Sequence, residues 1–437
     1  MSFLKKNRVF LICAALTAAS FFLHVWNIGT PARPVFDEAH FSTYAAKDVL
    51  REPYFDIHPP LGKFVFSLPL FSYDKDILSE VNFVKIFRNE KTGFLDTSYA
   101  PADFKNFPYV DLRIMSVLFG IALLLGVFLF TREVAGEYAA LLALFLLIFE
   151  NALLLHTRLI LLDGMYLALG FWALYFFFRK NPLYFWGGIF LGLALSVKIT
   201  AIIFLGPVLI AWFLSDEKWD KKKDALKFLF VGIVTLLIIW FFANILIFPI
   251  GERAAFFENL LNIKIGSSFW TPVVLFLREV VASVFGYTSG AGPNPMMSPW
   301  YLWPLMLKPM FYNESGLSLA LVGNAFVWYI GTFSVIAGIS ILVKNAFKKI
   351  DASFLKPALI FLGGYVFSLI PFFTVIRRAT FLYHYFPALI FSVCLASFLI
   401  TEYLKDKPGK IKIAALSAIV ILTIIGFTIS APFTYGL

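Results

Sequence analysis

The run VDLRIMSVLFGIALLLGVFLF, Val110 to Phe130, decides the fold. It is apolar throughout apart from its first turn, where Arg113 sits. A segment this long and apolar crosses the ~30 Å hydrocarbon core of a bilayer as one α-helix. Ten further segments read the same way, at about 9–27, 139–155, 158–178, 182–197, 199–215, 228–248, 318–343, 357–375, 380–400 and 411–431. The segments at 139–155 and 182–197 are short for the purpose. The expectation is an all-α polytopic membrane protein with about eleven transmembrane helices.

Composition agrees. Of 437 residues 60% are hydrophobic and 19% aromatic, only 15% are charged, and the mean hydropathy is +0.82. Soluble domains are nearer half apolar and a quarter charged. Cys13 and Cys394 both lie in apolar runs, which supports neither a disulfide framework nor a zinc site. Lys5, Lys6 and Arg8 before an apolar run resemble a signal peptide, but with so many spans following we expect an uncleaved first helix.

The net charge of +10 is distributed by side. With the N-terminus in the cytoplasm, the inner loops include Arg179-Lys180, Lys218 to Lys227, Lys344 to Lys356 and Lys405 to Lys412. The inner face then holds 19 Lys/Arg against 9 Asp/Glu, and the remaining 18 of each sign balance. The whole excess is thus the positive-inside signal that sets orientation, and no nucleic-acid partner is expected. A plasma-membrane location follows, with the functional face outside.

Two external segments are long enough to fold, 28–109 and 249–317, within what reads as a single membrane domain over 1–437. The first contains Phe64 to Phe71, too short to span and expected as an interfacial helix. The second contains WTPVVLFLREVVASVF, Trp270 to Phe285, which reads as an amphipathic helix lying on the membrane. A turn-rich Gly290 to Pro295 and the aromatic cluster Trp300, Tyr301 and Trp303 follow.

The polar residues converge on the outer boundary. Asp37-Glu38 emerges directly after the first span, and adjacent carboxylates there are costly unless something uses them. His40, His58 and Lys63 lie in the same loop, the last two flanking Pro59-Pro60. Arg113, Arg158, Asp163 and Lys198 fall at outer span ends, as do Arg377-Arg378 and Tyr383-His384-Tyr385, with His156 nearby. Cations at such a surface suit an anionic lipid headgroup. Arg113, Arg158 and Arg378 also fit ordinary interfacial anchors, and Asp163 fits a simple partner for Arg158. Glu38, His40 and His58 match no tight metal-ligand spacing, and no metal is expected.

At these residues the chain resembles the protein O-mannosyltransferases, membrane glycosyltransferases of GT-C architecture. The matching text is DEAHF at 37–41, YFDIHPPLGK at 54–63, LRIMSVLFG at 112–120, ENALLLHTRLILLD at 150–163, GLALSVK at 192–198, SPWYLWPL at 298–305 and FLYHYFPAL at 381–389. The resemblance implies inverting transfer of a sugar, usually mannose, from a polyprenyl or dolichyl phosphate to Ser or Thr of exported proteins. It further implies Asp37 as catalytic carboxylate beside Glu38, and Arg113, Lys198, Arg378 and Lys63 as grips for the donor phosphate. His40, His58, Arg158, Asp163, Tyr383, His384 and Tyr385 would line the pocket, with Asn294, Trp300 and Trp303 on the acceptor-facing loop. No cofactor is required beyond the lipid-linked co-substrate, since phosphate is already a good leaving group. Membrane lipids and the secretion machinery are the remaining expected partners.

Two departures stand out. Eukaryotic members carry a β-trefoil (MIR) insertion in the external loop that here is only 249–317, which points to a minimal prokaryotic member. Where the family often has His-Pro-Tyr, Asn294-Pro295-Met296 stands instead. Two other readings are a GT-C transferase acting on lipid A, another lipid or a cell-wall polymer, and a secondary transporter or flippase. Against the latter, there is no inverted repeat, and the charges gather at one face rather than at midplane.

Overall fold

The computed structural model describes residues 8–81, 83–88, 90, 95–99, 103–214, 220–246, 255–256, 258–259, 277, 296–312, 319–347, 351–374 and 380–437. The expected amphipathic helix at 270–285 lies outside the described residues except for Leu277.

Among the described residues, seven helices are long and apolar enough to cross a membrane, judged by length and composition. They are α1 (Arg8–Val25), α5 (Tyr109–Ala135), α11 (Asp220–Leu246), α12 (Ala325–Phe347), α13 (Ala352–Thr374), α14 (Phe386–Leu404, extended by the 3-10 turn Leu382–Tyr385) and α15 (Gly409–Tyr435). The other four expected spans coincide with shorter apolar helices. These are α6 (Glu137–Ile148) with α7 (Asn151–His156), α8 (Asp163–Phe178), α9 (Tyr184–Val197), and α10 (Leu205–Phe213) after a 3-10 turn at Ile199–Phe204. Helices apolar on every side turn part of that surface to lipid. Phe10 on α1 and Ile413 and Ile429 on α15 are accordingly 71%, 69% and 69% exposed.

Inside the bundle α8 packs on α5 and α9, and α9 packs on α11. The last contact depends on Gly188 and Gly192, one helical turn apart. A Cβ at these positions would stand 2.7 Å from the Phe228 carbonyl and 2.5 Å from the Gly232 carbonyl. Small residues at this spacing let two backbones approach where no hydrophobic effect drives association. Phe130, Phe171, Phe361 and Phe391 interlock at ring separations of 5.2 to 5.9 Å, joining α5, α8, α13 and α14.

The third expected span is interrupted. Its helix stops at Ile148, and Glu150 restarts the chain as α7 by accepting the Leu153 N–H at 2.6 Å and the Asn324 N–H at 3.0 Å. The fourth starts late, because Thr157–Leu162 is non-helical yet buried. Irregular backbone at membrane depth is tolerated where protein supplies its partners, and here it does. Thr157 Oγ1 lies 3.0 Å from His24 Nε2, and the Ile160 N–H donates to Glu38 Oε1 at 2.9 Å.

The segment between the first two spans, 28–108, is folded where it is described. It contains α2 (Glu38–Leu50), α3 (Leu61–Ser67) with a 3-10 turn at Leu68–Ser72, α4 (Lys75–Ser79), and an antiparallel hairpin of β1 (Val84–Arg88) with β2 (Leu95–Tyr99). The expected interfacial helix at 64–71 is part of α3 and its 3-10 extension. That element leaves Phe71 58% exposed but packs Gly62 against Leu162 and Val197 of the bundle. A two-residue ladder, β3 (Met310–Phe311) with β4 (Ala320–Leu321), precedes α12.

Candidate active site

Asp37 and Glu38 are adjacent in sequence, but the start of α2 sends them in different directions. Glu38 points inward and is fully buried. Its Oε1 accepts from Arg113 Nε and the Ile160 N–H, both at 2.9 Å, and its Oε2 from Arg113 Nη2 at 2.8 Å and the Val35 N–H at 2.9 Å. Arg113 is equally buried. It also donates to the Ile28 carbonyl at 2.9 Å and lies 4.9 Å above the Tyr109 ring. Bidentate pairing of this kind satisfies a buried carboxylate that would otherwise be very costly.

Asp37 occupies the N-cap position of α2 without making a side-chain cap. Its carbonyl serves that end of the helix, accepting from the His40 and Phe41 N–H groups at 3.0 and 3.1 Å. The carboxylate keeps 34% of its side-chain surface exposed, and among the described residues it accepts no hydrogen bond. His40 Nδ1 lies 3.9 Å from this carboxylate, and His40 Nε2 is 3.0 Å from Thr97 Oγ1 on β2. Desolvation chiefly pushes the Asp37 pKa above the ordinary value, with Asp163 and Asp56 adding to the rise and His40 and Lys198 opposing it. Phe36, immediately before, has φ +53°, a conformation that costs a bulky residue roughly 1–2 kcal/mol. Its ring sits among Tyr312, Phe381 and Tyr383 at 5.5 to 5.9 Å, so packing holds the chain in the geometry that presents Asp37.

Beside Asp37 lies a buried network of five residues, His156, Asp163, Lys198, Tyr312 and Tyr383, from five separate stretches of the chain. Asp163, at the start of α8, accepts from Lys198 Nζ at 2.8 Å and meets His156 Nε2 at 3.1 Å. His156 Nδ1 is 3.4 Å from Tyr312 Oη, and its ring stacks on Tyr383 at 5.0 Å. Lys198 Nζ stands 5.2 Å over the same Tyr383 ring. Asp163 therefore pairs with Lys198 and His156, and not with Arg158 as its spacing suggested.

Lys63 is 1% exposed, and its ammonium donates to Asp56 Oδ2 at 2.7 Å, the His58 carbonyl at 2.5 Å and the Pro59 carbonyl at 2.8 Å. Burial acts to raise the Asp56 pKa, but Lys63 and His58 outweigh it and hold this carboxyl below the usual range. His58 is half-buried, its ring 6.1 Å from Phe41.

Several residues expected at the site sit elsewhere. Arg158 is 4% exposed, donates to the backbone carbonyls of His24, Trp26 and Thr434, and lies 4.4 Å over Tyr435, tying α1 to the end of α15. Tyr385 is fully buried against Trp328 and Tyr365 in the bundle core. His384 is held by the Phe381 backbone and stacks on Tyr383 at 4.3 Å, one layer behind the pocket. Trp303, placed in sequence on an acceptor-facing loop, is fully buried and donates to Ser298 Oγ at 2.9 Å, whereas Trp300 keeps 36% of its surface exposed. Arg378 and Asn294 lie outside the described residues. Sequence reasoning missed Tyr312 and Thr97. Nothing local marks Tyr312, while Thr97 belongs to a strand that β-branched and aromatic alternation announces. Among the described residues no group of three or more His, Cys, Asp or Glu converges as a metal site.

Residues 14–256 match the family described as dolichyl-phosphate-mannose-protein mannosyltransferase, and residues 277–437 match the C-terminal four-span region of protein O-mannosyltransferase. Among curated relatives, dolichyl-phosphate-mannose–protein mannosyltransferase 6 of Candida albicans is 29% identical over 51% of this chain and 29% of its own length. Dolichyl-phosphate-mannose–protein mannosyltransferase 1 of Saccharomyces cerevisiae is 27% identical over 61% of this chain and 32% of its own. The chain thus spans between 18% and 33% of the length of these curated relatives and their kin. In fold it is similar to the S. cerevisiae protein O-mannosyltransferase Pmt1-Pmt2 complex bound to the sugar donor, with TM-score 0.81 and 15% identity over 98% of this chain and 90% of that one. It is also similar to the Archaeoglobus fulgidus oligosaccharyltransferase, with TM-score 0.59 and 14% identity over 100% of this chain and 57% of that one. The architecture is the expected GT-C fold of a multi-pass membrane protein. With both halves of the chain matched in order, it belongs to the dolichyl-phosphate-mannose-protein mannosyltransferase family.

Proposed function

We propose that this chain is one catalytic unit that moves mannose, with inversion, from a polyprenyl-phosphate-mannose donor to Ser or Thr hydroxyls of exported proteins, on the outer face of the plasma membrane. The observation carrying this reading is Asp37. It is a partly exposed carboxylate without a hydrogen-bond donor among the described residues, made more basic by its surroundings, beside the buried Lys198–Asp163–His156 network. Asp37 takes the proton of the acceptor hydroxyl. The hydroxyl oxygen attacks the anomeric carbon, and the bond from that carbon to the donor phosphate breaks, its electron pair leaving on the lipid phosphate. A positioned base of this kind is typically worth ~10²–10⁴-fold.

Lys198, Arg113 and Lys63 are all already paired, so the remaining roles follow from which of them acts on Asp37. Lys198, beside Asp37 and over Tyr383, is the described cation best placed to meet the leaving phosphate, and Arg378 is its proposed companion. Arg113 and Lys63, first read as phosphate grips, instead hold Glu38 and the Asp56–Pro60 loop in place. Glu38 acts as a positioning residue, because its four hydrogen bonds fix the start of α2 and so the direction of Asp37.

The test is transfer of labelled mannose from polyprenyl-phosphate-mannose to a Ser/Thr-rich peptide by the purified chain, with anomeric configuration read in the product. An α-linked product from a β-linked donor supports the proposal. Transfer to lipid or polymer acceptors with none to the peptide would replace the protein acceptor, and failure to bind the donor would remove the glycosyltransferase reading.

A further inference from the structure

A cavity opens at the end of α8 away from Asp163. That helix runs from Asp163 at the candidate active site to Phe178, 16 residues or about 24 Å at 1.5 Å per residue. There the α8–α9 turn, the end of α10 and the start of α13 enclose about 600 Å³. Three cations line it, Arg179, Lys180 and Lys356. Lys180 and Lys356 are exposed and Arg179 is half-buried, its guanidinium 5.8 Å from the Tyr175 ring. The rest of the lining is aromatic and aliphatic, with Tyr184, Trp212, Leu355 and Leu359 contributing.

Among the described residues, the nearby acids are engaged by groups other than the lining cations' charged heads. Glu133 accepts from the Lys180 backbone N–H at 3.0 Å and from Arg132 at 3.1 Å. Asp351 binds its own helix start through the Ser353 N–H and hydroxyl at 2.7 and 2.5 Å. Asp224 interacts with Tyr184. Among the described residues no carboxylate forms an ion pair with Arg179, Lys180 or Lys356. They also sit on the face where the Lys/Arg excess of the chain collects.

The geometry points to a binding site for a phosphate-bearing anionic lipid headgroup, distinct from the donor site. The guanidinium of Arg179 suits a phosphate diester, and the two ammonium groups add point charges at the mouth. Tyr and Trp belong at headgroup depth. The aliphatic wall accommodates the glycerol and first methylenes, a combination that a soluble anion would leave unused. Each basic residue near an anionic membrane surface contributes enough for three to change affinity on the order of 100-fold.

The test is native mass spectrometry and thermal melting of the purified full chain, titrated with phosphatidylglycerol, phosphatidylcholine or inorganic phosphate. The expected result is one tightly held phosphatidylglycerol that raises the melting temperature. Arg179→Gln/Lys180→Gln/Lys356→Gln should weaken it on the order of 100-fold, and Leu359→Trp, which fills the cavity and keeps the cations, should also weaken it. Lys405→Gln/Lys407→Gln/Lys410→Gln, on the same face but off the cavity, should not. Should the triple cavity variant fail to fold, Leu359→Trp against the Lys405 series decides. Equal retention of phosphatidylcholine, equal weakening by the Lys405 series, or full stabilisation by inorganic phosphate alone overturns the proposal.

Discussion

Replacing Arg113 by Met separates a structural role for this arginine from a substrate role. In the folded protein Glu38 is fully buried, and two of its four hydrogen bonds come from Arg113, at 2.8 and 2.9 Å. Arg113→Met keeps the length and apolar bulk of the side chain but leaves a buried carboxylate with only the Val35 and Ile160 N–H groups. Breaking one side of a buried ion pair costs about 3–5 kcal/mol. Two charge-assisted hydrogen bonds at roughly 1.5–3 kcal/mol each give the same range. At 1.4 kcal/mol per decade the folded-to-unfolded ratio falls roughly 100- to 3,000-fold. The assay is equilibrium unfolding in mixed micelles, with Glu38→Gln and the double variant completing a cycle. The neutral amide no longer needs the cation, so Glu38→Gln/Arg113→Met should recover at least about 2 kcal/mol of the summed single losses. An Arg113→Met protein as stable as wild type but deficient in donor binding would refute this reasoning and return Arg113 to the phosphate.

Asp48 is 5% exposed, and burial raises its pKa to about 7 even though Tyr54 donates to it at 3.0 Å. The folded state therefore holds a proton that the unfolded chain has released above pH ~4. Stability should fall as pH rises from about 4 to about 7 and level off beyond, and Asp48→Asn should flatten this slope in a pH series of melting curves. Lys63→Met leaves Asp56 without its 2.7 Å partner and two carbonyls without donors, and should cost about 3 kcal/mol or more in the same unfolding assay. As the proposed base, Asp37 would act in its unprotonated form, so kcat/KM should rise with pH through a value above the ordinary ~3.9. Because His40 lowers that pKa, His40→Phe should move the acidic limb upward, and an unmoved limb would exclude His40 from the role.

The spans were legible because hydropathy is a local property. Val110 to Phe130 needs no partner to be recognised, and α5 covers it fully. The breaks were not legible, since they depend on distant partners. The third span stops at Ile148 because Glu150 finds the N–H of Asn324, and the fourth starts at Asp163 because Ile160 finds Glu38. The same distance effect divided the acidic pair. Two carboxylates side by side read as one unit, yet neighbours at a helix start diverge, and the arginine that claims Glu38 lies 75 residues away. Lys63 needs only Asp56 and the following turn, all within seven residues, but its burial was invisible in the sequence. The hairpin was within reach: Val84 to Arg88 is rich in β-branched and aromatic residues, and the Asn-Glu-Lys-Thr-Gly text at 89–93 is a turn signal in sequence.

The central claim is that Asp37 removes the acceptor proton. The most direct measurement is donor affinity and single-turnover transfer for Asp37→Asn beside wild type. The account predicts donor affinity within a few-fold of wild type and a transfer rate lowered ~10²–10⁴-fold. Transfer within a few-fold of wild type by Asp37→Asn would contradict it.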